Sequence, residues 1–166
     1  MLLAIDPGTT ESAYVILDDE LKPIEFKKTG NQDVLDMIYA TVGDMWIDHF
    51  AIEMVASYGM AVGKEVFETC VWAGRFVEAA KHIPKMNRIY RKEEKSNLCG
   101  SMKAKDSNII QALVDRFATG KPNHGKGTKK EKGWFYGFSK DVWQAYAVGV
   151  TYADLYLKGE QDGKSI

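Results

Sequence analysis

The chain has 166 residues, 45% of them hydrophobic, which suits one compact domain with a real core and predicts a single unit over 1–166. No run of about 20 apolar residues is present, so no membrane partner is expected, and the N-terminal "MLLAIDPG" reads as a strand rather than a leader. The formal net charge of −1 conceals an asymmetry: 3 basic against 11 acidic side chains in residues 1–60, but 17 against 9 in residues 61–141. A basic half in an otherwise acidic chain suits a local surface for a polyanion, or two solvated faces of different charge. Cys70 and Cys99 lie in separate segments without Cys-x-x-Cys or Cys/His spacing, so a reduced, cytoplasmic protein without structural zinc is expected.

In chain order, the apolar run 2–5 predicts a buried central strand. "AYVILD" (13–18) and "PIEFKK" (23–28) predict two more, joined by a turn at "DDEL". Residues 32–47 carry Val34, Leu35, Ile38, Val42, Met45 and Trp46 at helical spacing. "HFAIEMV" (49–55) reads as a short buried strand. Residues 60–81 read as a long helix with a core stripe of Val62, Val66, Phe67, Cys70, Val71, Gly74 and Val77, Gly74 marking close packing. A strand at 86–91 and a brief helix ending at Gly100 follow. The next helix, 104–118, is entered through Asp106 or Ser107 as N-cap. Residues 119–138 are rich in Gly and Lys without periodicity and predict a flexible basic, aromatic flap. A last helix over 139–157, capped by Ser139, precedes a frayed tail at 159–166. Three strands in a meander followed by alternating helices and strands predict a mixed α/β sheet with helices on its faces.

Three acids stand out by context. Asp6 ends the first strand, Glu53 interrupts the apolar "AIEMV", and Asp141 opens the last helix beside Val142 and Trp143. A carboxylate bordering a core is costly without partners, and three that converge repel. Divalent cations remove that conflict, and magnesium prefers carboxylate oxygens. Two such ions about 3.5–4 Å apart serve phosphodiester hydrolysis. Singly, Asp6 also suits an Asp-Pro-Gly turn and Asp141 a helix cap.

"AIDPGTTESAYVIL", "FAIEMV", "VWAGRFVEAA" and "DVWQAYAVGV", in this order, resemble RuvC, the Holliday-junction resolvases of the ribonuclease H-like nuclease superfamily. "GWFYGFSKDVW" is more similar to the phage-encoded members. The resemblance implies a ribonuclease H-like five-stranded mixed sheet, three strands antiparallel and two parallel, flanked by helices. It implies a homodimeric, Mg²⁺-dependent endonuclease (Mn²⁺ substituting) that cuts four-way DNA junctions, working in the cytoplasm, the host's if the protein is phage-encoded. Asp6 would bridge two ions, Glu53 would hold the ion near the leaving oxygen, and Asp141 the ion serving the attacking water. Gln144 stands where the family usually has a second acid, and would add a neutral oxygen but no charge. Lys95 and Lys103 or Lys105 are the local candidates for lysines at the DNA. Tyr58 and Met60, in a glycine-containing segment, would wedge into the junction, and Lys64, at the end of that segment, and Arg75, in the Gly74-Arg75 that matches a Gly-Arg-Gly-like step, are further expected DNA contacts. The family dimer is built around the helix expected at 60–81.

From the residues themselves, Lys126, Lys129, Lys130 and Lys132 beside Trp134, Phe135 and Tyr136 suit backbone contact and base stacking, or a solvated lysine loop over buried aromatics. Three other readings remain open. "IDPGTTESAYVI" is also similar to the first phosphate loop of actin-like ATPases, with Thr9 and Thr10 on ATP, although the chain has half their length and no second Asp-x-Gly loop. A non-catalytic DNA-binding member of the fold, or one cutting flaps and forks, fits the same residues.

Overall fold

The computed structural model describes residues 1–43 and 47–158. Met45, Trp46, the Val42 side chain and the tail at 159–166 lie outside the described residues. The meander is present as expected: β1 (Leu2–Asp6), β2 (Glu11–Leu17) and β3 (Pro23–Gly30) pair antiparallel in sequence. Helix α1 (Asn31–Gly43) leads to β4 (His49–Met54), α2 (Lys64–Ala79) to β5 (Lys85–Tyr90), and α3 (Arg91–Cys99), α4 (Asp106–Phe117) and α5 (Lys140–Tyr152) complete the chain. A π-helical segment, Ala153–Leu157, extends α5. The five-stranded sheet has the order β3-β2-β1-β4-β5, with β4 parallel to β1 and β5 parallel to β4.

This order follows from burial. β1 is apolar on both faces because it is central, with Leu2 to Ile5 essentially inaccessible. Its Leu3 and Ile5 side chains join Val34, Leu35 and Ile38 of α1 and Phe76 of α2 on one side. Leu2 and Ala4 join Trp143, Tyr146, Ala147 and Val150 of α5 on the other. Gly149 sets how closely α5 approaches: a Cβ there would lie 2.8 Å from Leu17 Cδ1 and 3.1 Å from Ala4 Cβ. Asp141 lies eight residues earlier, about 12 Å along the helix. The start of α5 is thereby carried to the end of the sheet where β1 terminates in Asp6.

Several expectations are corrected. Helix α2 begins at Lys64, and its sheet-facing stripe is Thr69, Ala73, Phe76 and Ala79. The expected core residues Phe67 and Val71 are 61% and 60% exposed, Val62 is exposed too, and nothing lies within 4 Å of a Cβ built on Gly74. Phe76 is the one large side chain of that inward stripe, and Phe67 and Val71 are left facing outward. Helix α4 is entered one residue early, where the Lys105 N–H donates to the Asn108 side chain at 2.8 Å. α5 ends at Tyr152, before the π-helical segment.

The 119–138 segment folds onto the core. It makes a short 3-10 turn (Asn123–Gly125) and a bridge between Gly127 and Lys132. Phe135 and Phe138 are buried among Trp143, Tyr146 and Phe26. Trp134 stacks on Phe117 and donates to Tyr146 Oη at 3.1 Å, which in turn donates to the Leu21 carbonyl.

Candidate active site

Asp6 and Glu53 meet because β1 and β4 run parallel. Ile5 is in register with Ile52, which places the next residue of each strand side by side at the strands' C-terminal ends. Ligand sites in open α/β sheets gather at this edge. The two carboxyls share a hydrogen bond in which Asp6 donates and Glu53 accepts. Burial first, then the Glu53 charge and this bond, push Asp6 up to about 9. Burial also raises Glu53, partly offset by the Arg91 charge and by the Asp6 bond. Two half-buried acids thus hold one proton between them, as like charges in a low-dielectric setting must.

The loop after Asp6 is built to hold it still. Gly8 N–H donates to Ser12 Oγ at 3.0 Å, Ser12 Oγ donates to Asn31 Oδ1 at 2.6 Å, and Asn31 Nδ2 returns a bond to the Gly8 carbonyl at 3.0 Å. A side chain at Gly8 would strike the Glu11 carbonyl at 2.3 Å. The turn therefore requires glycine for close backbone approach.

Asp141 lies in the first turn of α5, and its charge is among those raising Asp6. Its carboxylate, however, is bonded to Lys28 Nζ of β3 at 2.8 Å, and Lys28 also lies 3.5 Å from Glu11. Asp6, Thr9, Thr10, Lys28 and Asp141 line one cleft of ≈ 300 Å³. Gln144, one turn beyond Asp141 and so on the same helix face, is 8% exposed, and both its amide atoms are buried without a hydrogen-bond partner.

Among the described residues, no three acidic, His or Cys side chains converge closely enough to hold an ion as they stand. The donor set nevertheless fits a hard divalent cation. It consists of carboxylate oxygens with an unpartnered amide oxygen, and two of its acids are so crowded that one retains a proton. Asp141, as it stands, is paired with Lys28.

A residue that sequence reasoning passed over lies here too. Glu94, in the first turn of α3, is fully buried and accepts from Arg91 Nη1, while Arg91 Nη2 donates to Asp106. Burial, then the Glu53 charge, raise Glu94 to about 8. The only signal in the sequence was an acidic pair within a basic stretch.

The expected DNA contacts divide. Lys95 is near enough to Glu53 to oppose its shift, and it lines a pocket of ≈ 300 Å³ with Tyr58, Arg91, Lys92 and Met102. Tyr58 sits in a left-handed backbone conformation and is exposed, as is Met60. Lys64, Lys103, Lys105, Lys129 and Lys130 are exposed. Arg75, over the Trp72 ring at 4.1 Å, and Lys132, over Tyr136, are exposed as well, whereas Lys126 is half-buried and donates to the Phe138 carbonyl at 2.8 Å. Phe135 is buried and out of reach of any base.

No protein-family model matches the sequence, and no curated protein matches it at the sequence level. Solved structures do match. Thermus thermophilus RuvC superposes with a TM-score of 0.63 at 16% identity, over 95% of this chain and 96% of that one. T. thermophilus RuvC in complex with Holliday junction substrate gives 0.65 at 15% identity, over 95% of each. The Fowlpox virus resolvase bound to substrate Holliday junction DNA gives 0.53 at 11% identity, over 93% of this chain and 99% of that one. Over nearly its whole length, the chain therefore has the ribonuclease H-like fold of the RuvC resolvases.

Proposed function

We propose that the protein is a divalent-cation-dependent endonuclease that hydrolyses phosphodiesters in branched DNA, four-way junctions above all, as a two-fold dimer. The observation that carries this reading is the proton-sharing Asp6–Glu53 pair at adjoining strand ends, with Asp141 and the unpartnered Gln144 brought to the same edge by α5. The fold match with two junction resolvases bound to Holliday junction DNA supports the substrate class.

Asp6, Glu53 and Asp141 would supply the carboxylate oxygens that hold Mg²⁺ or Mn²⁺, Glu53 from the β4 side and Asp141 from α5. Bound ions would supply Lewis acidity at the scissile phosphate and make water a stronger nucleophile. Asp6 would lose its proton on loading, and Asp141 would turn from Lys28 toward the strand ends. The Gln144 amide would accept or donate a bond at a position that is otherwise unpaired. Lys95 and Lys92, beside the Glu53 end, would neutralise strand phosphates, with Lys103 and Lys105 extending that track. Tyr58 and Met60 would meet unpaired bases at the junction centre. The protein would act in the cytoplasm, the host's if it is phage-encoded.

Symmetrical resolution needs two opposed cuts, and therefore an isologous pair of sites. The outward stripe of α2, with Phe67 and Val71 beside the open Gly74, is an apolar face of the kind that a second copy covers. Phe67→Glu is expected to halve the mass measured by sedimentation without unfolding the chain. An unchanged mass would remove this face from the dimer.

The test of activity is cleavage of labelled four-way, forked and linear DNA with Mg²⁺ or Mn²⁺, for wild type and Asp6→Asn. Paired nicks in the junction by wild type, and binding without cleavage by the variant, are expected. Preferential cutting of forks would redirect the substrate. Binding without cleavage by wild type would favour a second reading, a junction-binding protein without nuclease activity. The Lys28–Asp141 ion pair and the neutral Gln144 are the observations on its side.

A further inference from the structure

The second group of α5 is neutral, but the strand-end edge receives another charge from the opposite side. β4 and β5 are in register through Glu53–Ile89 and Met54–Tyr90, and α3 begins at the next residue, Arg91. The first turn of α3 is thus delivered to the edge that bears Asp6 and Glu53. Its two acids then take different directions. Glu93 turns back to accept the Tyr90 N–H at 2.7 Å, as a helix-capping residue does. Glu94 is directed inward and has no exposed surface. Its Oε2 is held by Arg91, whereas its Oε1 is buried with no hydrogen-bond partner.

A buried carboxylate needs most of its lone pairs satisfied. Glu94 is placed where its charge acts on both strand-end acids, raising Asp6 and being raised by Glu53. A purely structural ion pair has no reason to sit against two other carboxylates, because each like charge works against it. A cation at this edge would remove the repulsion and at the same time take up the unused lone pairs of Oε1.

We infer that Glu94 is the fourth anionic arm of the site, supplying from α3 the charge that Gln144 does not supply from α5, with Oε1 turned to the cation on the Glu53 side and Arg91 as its counter-ion when that cation is absent. This rests on the reading of the edge as a divalent-cation site. Asp106, which takes the other Arg91 nitrogen, shares Arg91 with Glu94 and steadies it.

The experiment is Mn²⁺ titration of the full chain by calorimetry and electron paramagnetic resonance. Wild type should bind two ions. Glu94→Gln should weaken the weaker ion by at least tenfold, and adding Gln144→Glu to that variant should restore most of the loss by moving the charge to α5. Identical titrations of Glu94→Gln and wild type would overturn the assignment. Should Glu94→Gln not fold, Arg91→Gln leaves the carboxylate in place: tighter Mn²⁺ binding is expected, and unchanged or weaker binding overturns the proposal. A wild type that binds Mn²⁺ and cuts DNA while Glu94→Gln titrates normally would remove Glu94 alone. A wild type that binds no Mn²⁺ and cuts nothing would remove the underlying reading with it.

Discussion

The two flanks of the carboxylate edge are held in opposite ways. On the Glu53 flank, the acids are half-buried or buried: Asp6 and Glu53 share a proton, and Glu94 is enclosed with Arg91. Their positions are set by strand register and by a helix that starts directly from β5, so they cannot move without disturbing the sheet. On the Asp141 flank, the carboxylate is about one-third exposed and tied to a lysine that is itself open to solvent. A surface ion pair of this kind is weakly held and screened by salt. One flank is therefore a fixed, charge-crowded platform. The other carries an arm that a competing cation can draw away from its lysine.

The largest expected effect tests the platform. Asp6→Asn should lower junction cleavage roughly 10³-fold or more while leaving junction binding within a few-fold, measured as single-turnover rates and gel-shift affinity. Comparable cleavage by this variant would mean that the platform is not the reactive centre.

The pH dependence of stability separates the flanks next. Asp6 has its folded-state pKa raised from 3.8 to about 9, so the folded form favours its proton. That contribution is fully present below the unfolded pKa and is lost as pH rises toward about 9. The melting temperature of metal-free protein should therefore fall between pH 5 and 9, and Mn²⁺ should recover it most at the alkaline end. In Asp6→Asn the fall should be smaller. A metal-free melting temperature that rises with pH across this window would contradict the crowding on the platform.

On the mobile flank, Asp141→Asn should abolish most cleavage yet change folding stability by only about 0.5 kcal/mol, since its partner is a surface lysine. Glu94→Ala, by contrast, would empty a fully buried position and take from Arg91 one of its two carboxylate partners, and should cost about 2–3 kcal/mol. Chemical denaturation compares the two directly. Equal losses would erase the contrast between the flanks.

The smallest effect sharpens the mobile arm. Lys28→Ala should lower the Mn²⁺ concentration needed for half-maximal cleavage by about two- to five-fold, because the ion no longer competes with an ammonium for Asp141. A higher requirement would instead place Lys28 at the DNA.

Much of this arrangement was legible in the sequence, and the failures have identifiable causes. Glu53 was visible because a charged residue inside "AIEMV" contradicts its surroundings, and the strand is indeed buried up to it, at Phe50, Ala51 and Ile52. The α2 stripe was misread because that helix carries two candidate faces. Hydrophobic size favours Phe67 and Val71, whereas the face that is buried carries Thr69, Ala73, Phe76 and Ala79. The 119–138 segment lacks periodicity, so nothing announced that Phe135 and Phe138 would fill the space against α5. Glycines in left-handed conformations, such as Gly125 and Gly127, allow the irregular path. Glu94 was hidden because two adjacent acids in a first helical turn look alike until one is turned inward.

By itself the sequence determined the order of strands and helices, and it singled out Asp6, Glu53 and Asp141, while Gln144 was marked only by the family resemblance. Periodicity and the cost of a charge beside apolar residues are local properties of the chain. Only the tertiary structure decided that Glu94 joins them, that Lys28 holds Asp141, and that Phe67 and Val71 face outward. Each of these depends on segments distant in sequence, or on opposite faces of one helix, being brought to a shared surface whose spacing no local pattern encodes.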